Sequence, residues 1–192
     1  MAYDNMSIGL FGGSFNPAHA GHMHVATTAL NTLGLDRVWW MVSPQNPLKP
    51  EQPSYTLRAA TVRALGLPPR MEISNMEHDF GTQYTVDTLR RGQQKWPRAK
   101  FVFLMGADNF LQLPRWKNWH DIMALVPVAI IARPGDDHAA IRARLGKAAQ
   151  IYRHARLPEI QAHTLKNKTA PCWTYLTTPL NSLSSSALRA KA

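Results

Sequence analysis

The sequence predicts an α/β fold, a Rossmann-like, doubly wound parallel sheet in a single domain over residues 1–192. Three observations predict it. Short apolar runs alternate with stretches of helical periodicity along the whole chain. Successive runs are joined by a dozen residues or more, the length that a parallel crossover requires. The first run breaks on two glycines immediately before a helix-like stretch.

Taken in order, the β-branched and aromatic run Ser7–Phe11 reads as a buried strand, and Gly12-Gly13 as its tight turn. Val25, Ala26, Ala29, Leu30 and Leu33 then recur at helical spacing, which predicts a helix over Gly21–Gly34. A strand follows at Val38–Val42, and the proline-rich patch Pro44–Pro53 reads as a long, stiffened loop. The same alternation places a helix at Tyr55–Leu65, a strand at Met71–Ser74, a helix at Thr85–Lys95 and a strand at Phe101–Met105. It closes with a helix at Trp116–Leu125, a strand at Val128–Ala132, a helix at Ala139–Ala149 and a strand at Trp173–Thr177. Ligands of open parallel sheets bind beyond the carboxyl ends of the strands. The glycine turn, Ser43–Pro47 and Gly106-Ala107-Asp108 all follow strands, so they are expected to line one crevice.

Composition narrows the function classes. Of 192 residues, 45% are hydrophobic, which suits a packed core rather than disorder. A single cysteine, Cys172, excludes an internal disulfide and fits a reducing compartment. Met1–Ser7 carries no signal pattern, and no apolar run approaches the roughly 20 residues of a membrane span, so a cytoplasmic protein is expected. Lys and Arg number 22 against 12 Asp and Glu, a net charge of +10 that steers anions toward the surface. The basic residues are scattered and are not interleaved with stacking aromatics, so nucleic acid is not the expected partner.

The glycine turn carries the chemistry. Gly12 and Gly13 lack a Cβ, so a phosphate can approach the backbone closely there. The helix that follows offers backbone N–H groups and the positive end of its dipole. His19 and His22, three apart, are read as projecting from one face of an incipient helical turn, where they can stabilise charge on phosphate oxygens. A His-x-x-His pair by itself fits a satisfied surface pair as well; the glycines and the strand tip favour the phosphate reading. No Walker loop and no Gly-x-Gly-x-x-Gly fingerprint occurs.

Gly12-Gly13-Ser14-Phe15-x-Pro17-x-His19-x-Gly21-His22 resembles the signature of the nucleotidylyltransferase superfamily and, more narrowly, of the bacterial nicotinate-nucleotide adenylyltransferases. Tyr84-Thr85-Val86-Asp87-Thr88-Leu89, Gly106-Ala107-Asp108 with Pro114-x-Trp116, and Ser184-Ser185-Ser186-Ala187-Leu188-Arg189 are similar to three further family segments, in family order. The resemblance implies transfer of AMP from ATP to nicotinate mononucleotide, with release of pyrophosphate and with Mg2+ as counter-ion. His19, His22 and Arg189 are then the catalytic set. Gly12, Gly13, Ser14 and Phe15 of the glycine turn join them in binding ATP, together with Ser185 and Ser186 of a C-terminal phosphate-binding segment at residues 184–189. The resemblance implies Thr85 and Trp116 as the pair that recognises the base of the mononucleotide. From their places after strands, Lys49 and Asp108 are also expected to bind it, although Lys49 fits a solvated loop lysine and Asp108 a helix N-cap equally well. No protein-held metal is expected. His78, Asp87 and Thr88 read as structural.

Asn16 stands where the family usually has Asp, Ser14 and Ser186 where it has Thr, and Leu188 where it has Ile. Many relatives continue past the serine segment, whereas this sequence stops three residues after Arg189, which leaves the oligomeric state open. Competing readings are an adenylyltransferase acting on the amide mononucleotide or on phosphopantetheine, and a non-catalytic nucleotide- or RNA-binding protein.

Overall fold

A computed structural model describes residues 3–44, 52–132 and 143–177. The apolar runs become strands β1 (Ser7–Gly13), β2 (Arg37–Val42), β3 (Met71–Ser74), β4 (Lys100–Gly106), β5 (Val128–Ile131), β6 (Arg156–Leu157) and β7 (Trp173–Leu176). Between them lie α1 (Ala20–Thr32), α2 (Tyr55–Arg63), α3 (Met76–Asp79), α4 (Thr85–Lys95), α5 (Ala107–Gln112) and α6 (Trp119–Leu125). The strands form one sheet in the order β3-β2-β1-β4-β5-β7-β6, with every pair parallel.

The chain leaves β1 toward β2 and β3, then crosses back to place β4 on the other side of β1. That reversal is the switch point at which sheets of this kind open a crevice. The register shows the opening directly. Gly12 and Gly13 still pair with Met41 and Val42 of β2, whereas the last β1–β4 pair is Phe11 with Leu104. Beyond it β4 runs on to Gly106, paired with Ile131 of β5.

Both faces of the sheet are covered, which is why the strands read as continuous apolar runs. Ile8, Leu10, Trp39, Met41, Phe103 and Met105 pack with Val86, Leu89, Phe110 and Ile122 of α4, α5 and α6. Phe11, Trp40, Val42 and Leu104 pack on the other side with Val25, Ala26, Ala29, Ala59 and Val62 of α1 and α2. At the amino ends of β1 and β2, Asp36 accepts hydrogen bonds from the Ser7 N–H and hydroxyl, both at 2.7 Å. Those bonds hold its carboxyl below the usual carboxylate range.

The six expected strands are all present, and the differences lie in short elements. β6, α3 and α5 are two, four and six residues long, too short to display a period. The helix expected over Trp116–Leu125 begins only at Trp119, because Leu113–Arg115 forms a 3-10 turn and Asn118 takes a left-handed φ of 48°. Of the helix expected at Ala139–Ala149, residues 139–142 lie outside the described residues, and a helix is observed over Lys147–Ile151 after Gly146. Among the described residues no helix is long and apolar enough to cross a membrane.

Gly9, inside β1, has a packing role that the apolar reading of the strand passes over. A Cβ there would lie 2.7 Å from Leu104 Cδ1 and 2.8 Å from Leu35 Cδ1. Both leucines are fully buried, so neither can withdraw into solvent. Gly9→Ala is therefore expected to destabilise the protein by about 1–3 kcal/mol through overpacking. Thermal unfolding checks this, and an unchanged Tm would contradict it.

Candidate active site

The crevice at the switch point is built first by what its glycines omit. A Cβ on Gly12 would come within 3.3 Å of the Phe103 ring, and one on Gly13 within 2.9 Å of the Phe15 ring. Phe15 itself turns back at a left-handed φ of 46°, a costly conformation for a non-glycine residue. Its ring is buried, edge-on to Phe11 at 5.3 Å and to His22 at 5.1 Å, with Trp40 at 5.1 Å. Phe15 thus supports His22 from within the core rather than offering an open stacking face.

The histidines correct one expectation. His19 does not lie on a helical turn: it is the N-cap of α1, with extended φ −152° and ψ 171°. The helix starts one residue later because the two imidazoles cap it. His19 Nδ1 accepts the Gly21 N–H at 3.1 Å, and His22 Nδ1 accepts the His19 N–H at 3.3 Å. This is a reciprocal capping box made by rings instead of a hydroxyl and a carboxylate. The rings lie 4.0 Å apart and are 5% and 4% exposed. Because each Nδ1 is an acceptor, the proton of each neutral ring sits on Nε2. The start of a 13-residue helix therefore carries two Nε2–H donors beside its own backbone N–H groups.

The facing wall comes from β4 and the helices after it. Gly106 caps α5, which places Asp108 in the first turn, half-buried, and not at the N-cap. Trp116 is half-buried, edge-on at 6.4 Å to Phe103, the ring that lies under Gly12. Thr85 is the first residue of α4, whose N-cap, Tyr84, makes no side-chain capping bond. The Lys117 ammonium joins the two segments: it lies 4.3 Å over the Tyr84 ring and 3.2 Å from Asp87. Arg90 adds a second tie, pairing with Asp87 at 3.6 Å and with Asp121. Such partly exposed pairs add little stability each, but they fix Thr85 and Trp116 relative to one another. Asp87 is structural in this network. So is Thr88, fully buried against the Thr82 hydroxyl at 2.6 Å. His78 is exposed beside Asp79. Burial pushes the Cys172 thiol up, away from nucleophilic use. Lys49, Ser185, Ser186 and Arg189 lie outside the described residues.

Sequence reasoning missed three residues behind the crevice. Arg58 of α2 is 1% exposed and donates to the carbonyls of Pro53, Ser14 and Pro44 at 2.8, 2.8 and 2.7 Å. Thr61, one turn on, accepts the Ala18 N–H at 3.0 Å. Glu77 of α3 is buried, and its Oε2 has no hydrogen-bond partner among the described residues. A signal for Arg58 existed: it falls on the buried stripe of α2 with Ala59 and Val62, where a cation is out of place.

Burial pushes the Glu77 carboxyl up to about 7, against the opposing field of Arg58. Below about pH 4.5 both folded and unfolded chains hold this proton. As pH rises toward about 7 the unfolded state releases it while the folded state keeps it, so stability falls across that window and then levels. Glu77→Gln is expected to flatten that limb and to raise Tm above pH 7. The gain is at most on the order of 3 kcal/mol. Tm against pH checks this; a parallel loss in both proteins would contradict it.

Known proteins resemble this chain in both sequence and fold. The cytidylyltransferase-like family model matches residues 10–191. The chain is 50% identical over 188 residues to a probable nicotinate-nucleotide adenylyltransferase of Caulobacter sp. (strain K31), covering 97% of this chain and 98% of that one. It is 48% identical over 188 residues to one of Methylorubrum extorquens, covering 97% of this chain and the whole of that one. The fold matches a Plasmodium falciparum nicotinic acid mononucleotide adenylyltransferase complexed with NaAD, with TM-score 0.71 and 16% identity over 96% of this chain and 83% of that one. A ring-capped helix at the switch point, a family match over nearly the whole length and relatives at half identity lead to one conclusion: the chain is a member of the cytidylyltransferase-like family and, within it, of the nicotinate-nucleotide adenylyltransferases.

Proposed function

We propose that the protein joins ATP to nicotinate mononucleotide, giving nicotinate adenine dinucleotide and pyrophosphate. The observation that carries this reading is the imidazole capping box, which puts two N–H donors at a helix N-terminus beside a Cβ-free turn. A phosphate oxygen of the mononucleotide attacks the α-phosphorus of ATP in line. The bond between that phosphorus and the bridging oxygen breaks, and pyrophosphate leaves with the electron pair. The nucleophile is already an anion, so no general base is needed and catalysis is positioning plus charge neutralisation.

His19 and His22 donate through Nε2–H to the phosphate oxygens, His22 nearest the developing charge. The family resemblance adds Ser185, Ser186 and Arg189 as a second phosphate clamp, and the position of Lys49 in the loop after β2 makes it a further candidate phosphate contact. Asp108 orients ribose hydroxyls. Thr85 presents the open start of α4 to the nicotinate carboxylate, and Trp116 stacks on the cationic pyridine ring. Among the described residues no three His, Cys, Asp or Glu side chains gather to hold a metal. Magnesium is read as entering with ATP, held mainly by substrate and water, and no step here runs through it. The substrates are soluble phosphates, and the reaction is assigned to the cytoplasm.

The test is pyrophosphate release from ATP with three acceptors: nicotinate mononucleotide, its amide, and phosphopantetheine. Backbone N–H groups facing an amide NH2 are mispaired, so kcat/KM for the acid is expected to exceed that for the amide at least about tenfold. In the same assay His22→Ala is expected to lower kcat on the order of 100-fold with little change in mononucleotide KM. Equal use of acid and amide would overturn the carboxylate assignment, and near-normal turnover of the variant would overturn that of His22.

A further inference from the structure

Arg58 has a place in the fold that stability alone does not explain. Its guanidinium is buried and, among the described residues, no carboxylate lies within ion-pair distance of it; burial presses its pKa down. Replacing a buried charge with an apolar side chain of similar size is often neutral or stabilising, so a buried cation needs another reason. Its three acceptors supply one. Ser14 belongs to the glycine turn after β1, Pro44 lies two residues past β2, and Pro53 directly precedes the Ser54 cap of α2. One planar fork therefore ties the turn after β1 to both ends of the segment that connects β2 with α2. Thr61 repeats the tie one turn along, holding Ala18 next to the His19 cap and donating to the Arg58 carbonyl at 2.7 Å. Ser43 N–H donates to Gly13 O at 3.0 Å, which closes the same seam at the strand ends.

We infer that Arg58 is a positioning residue for adenylyl transfer: it fixes the glycine turn against the loop after β2, so that the phosphates held by the turn stay in line with the attacking phosphate. The inference rests on the reading of the glycine turn as the ATP phosphate site. In-line transfer needs the reacting atoms about 3–3.5 Å apart, and a 1 Å displacement can cost 100-fold in rate. Lysine retains the charge but cannot reach three diverging carbonyls with one planar group.

The experiment compares wild type with Arg58→Lys and Arg58→Met, measuring pyrophosphate release and, separately, equilibrium binding of ATP. All rates are taken per folded molecule, well below each Tm. Arg58→Met keeps an apolar stem without a buried charge, so it remains informative if the lysine variant unfolds. Both variants are expected to bind ATP within about threefold of wild type and to lose kcat by roughly 10- to 100-fold. A purely structural arginine predicts lower Tm with normal kcat per folded molecule, and that result overturns the inference. Parallel losses of ATP binding and kcat would overturn it too, since they make Arg58 part of the binding surface. An inert wild type with every acceptor would overturn the underlying reading and this inference together. An active wild type with an equally active variant overturns this inference alone.

Discussion

The passage from β1 into α1 is the constraint on which the site depends. A helix beginning at Ala20 leaves backbone N–H groups that need acceptors, and Ser, Asp or Asn usually provides them. Here two imidazoles do so, each spending Nδ1 on the backbone. An aspartate cap would place a carboxylate where the proposed function seats a polyphosphate. An imidazole caps as well and keeps a donor on its far nitrogen. Under the proposed function, the structural and catalytic demands fall on different atoms of one ring, and the cap fixes the tautomer that the proposed phosphate contact requires.

The surrounding fold holds that arrangement from three sides. Phe15 is pressed by Phe11 and Trp40 against the His22 ring, and its left-handed backbone is retained because those rings leave it no other place. Below, Phe103 lies where a Gly12 side chain would be and carries Trp116 on its edge. Behind, α2 holds the backbone of the turn through Arg58 and Thr61. The apolar layers position the rings, and the polar ties position the loops. Of the charge excess of the sequence, +10, partly exposed ties such as Lys117 and Arg90 use some to join neighbouring segments.

Much of this was legible in the sequence because it rests on local patterns. A buried parallel strand is a continuous apolar run, and a crossover helix is long enough to show its period, so β1 to β5, β7, α1, α2 and α4 are readable directly. α3 and α5 are not, since a helix of one or two turns has no period to detect. The glycines and histidines announce the site because few other tasks need them in that order. The capping box did not show, since histidine is a rare cap and its role emerges only when the backbone at His19 is seen to be extended. Arg58 was harder still. Its partners are carbonyls 5, 14 and 44 residues away, and only folding brings them to one guanidinium.

The capping box can be observed without a substrate or a mutation. Long-range 1H–15N NMR spectra of the histidine side chains at neutral pH report which ring nitrogen carries the proton. For His19 and His22 the account predicts unprotonated Nδ1 and protonated Nε2 in both rings. A proton resident on Nδ1 of either ring would break the cap and contradict the assignment of Nε2–H as the phosphate donor.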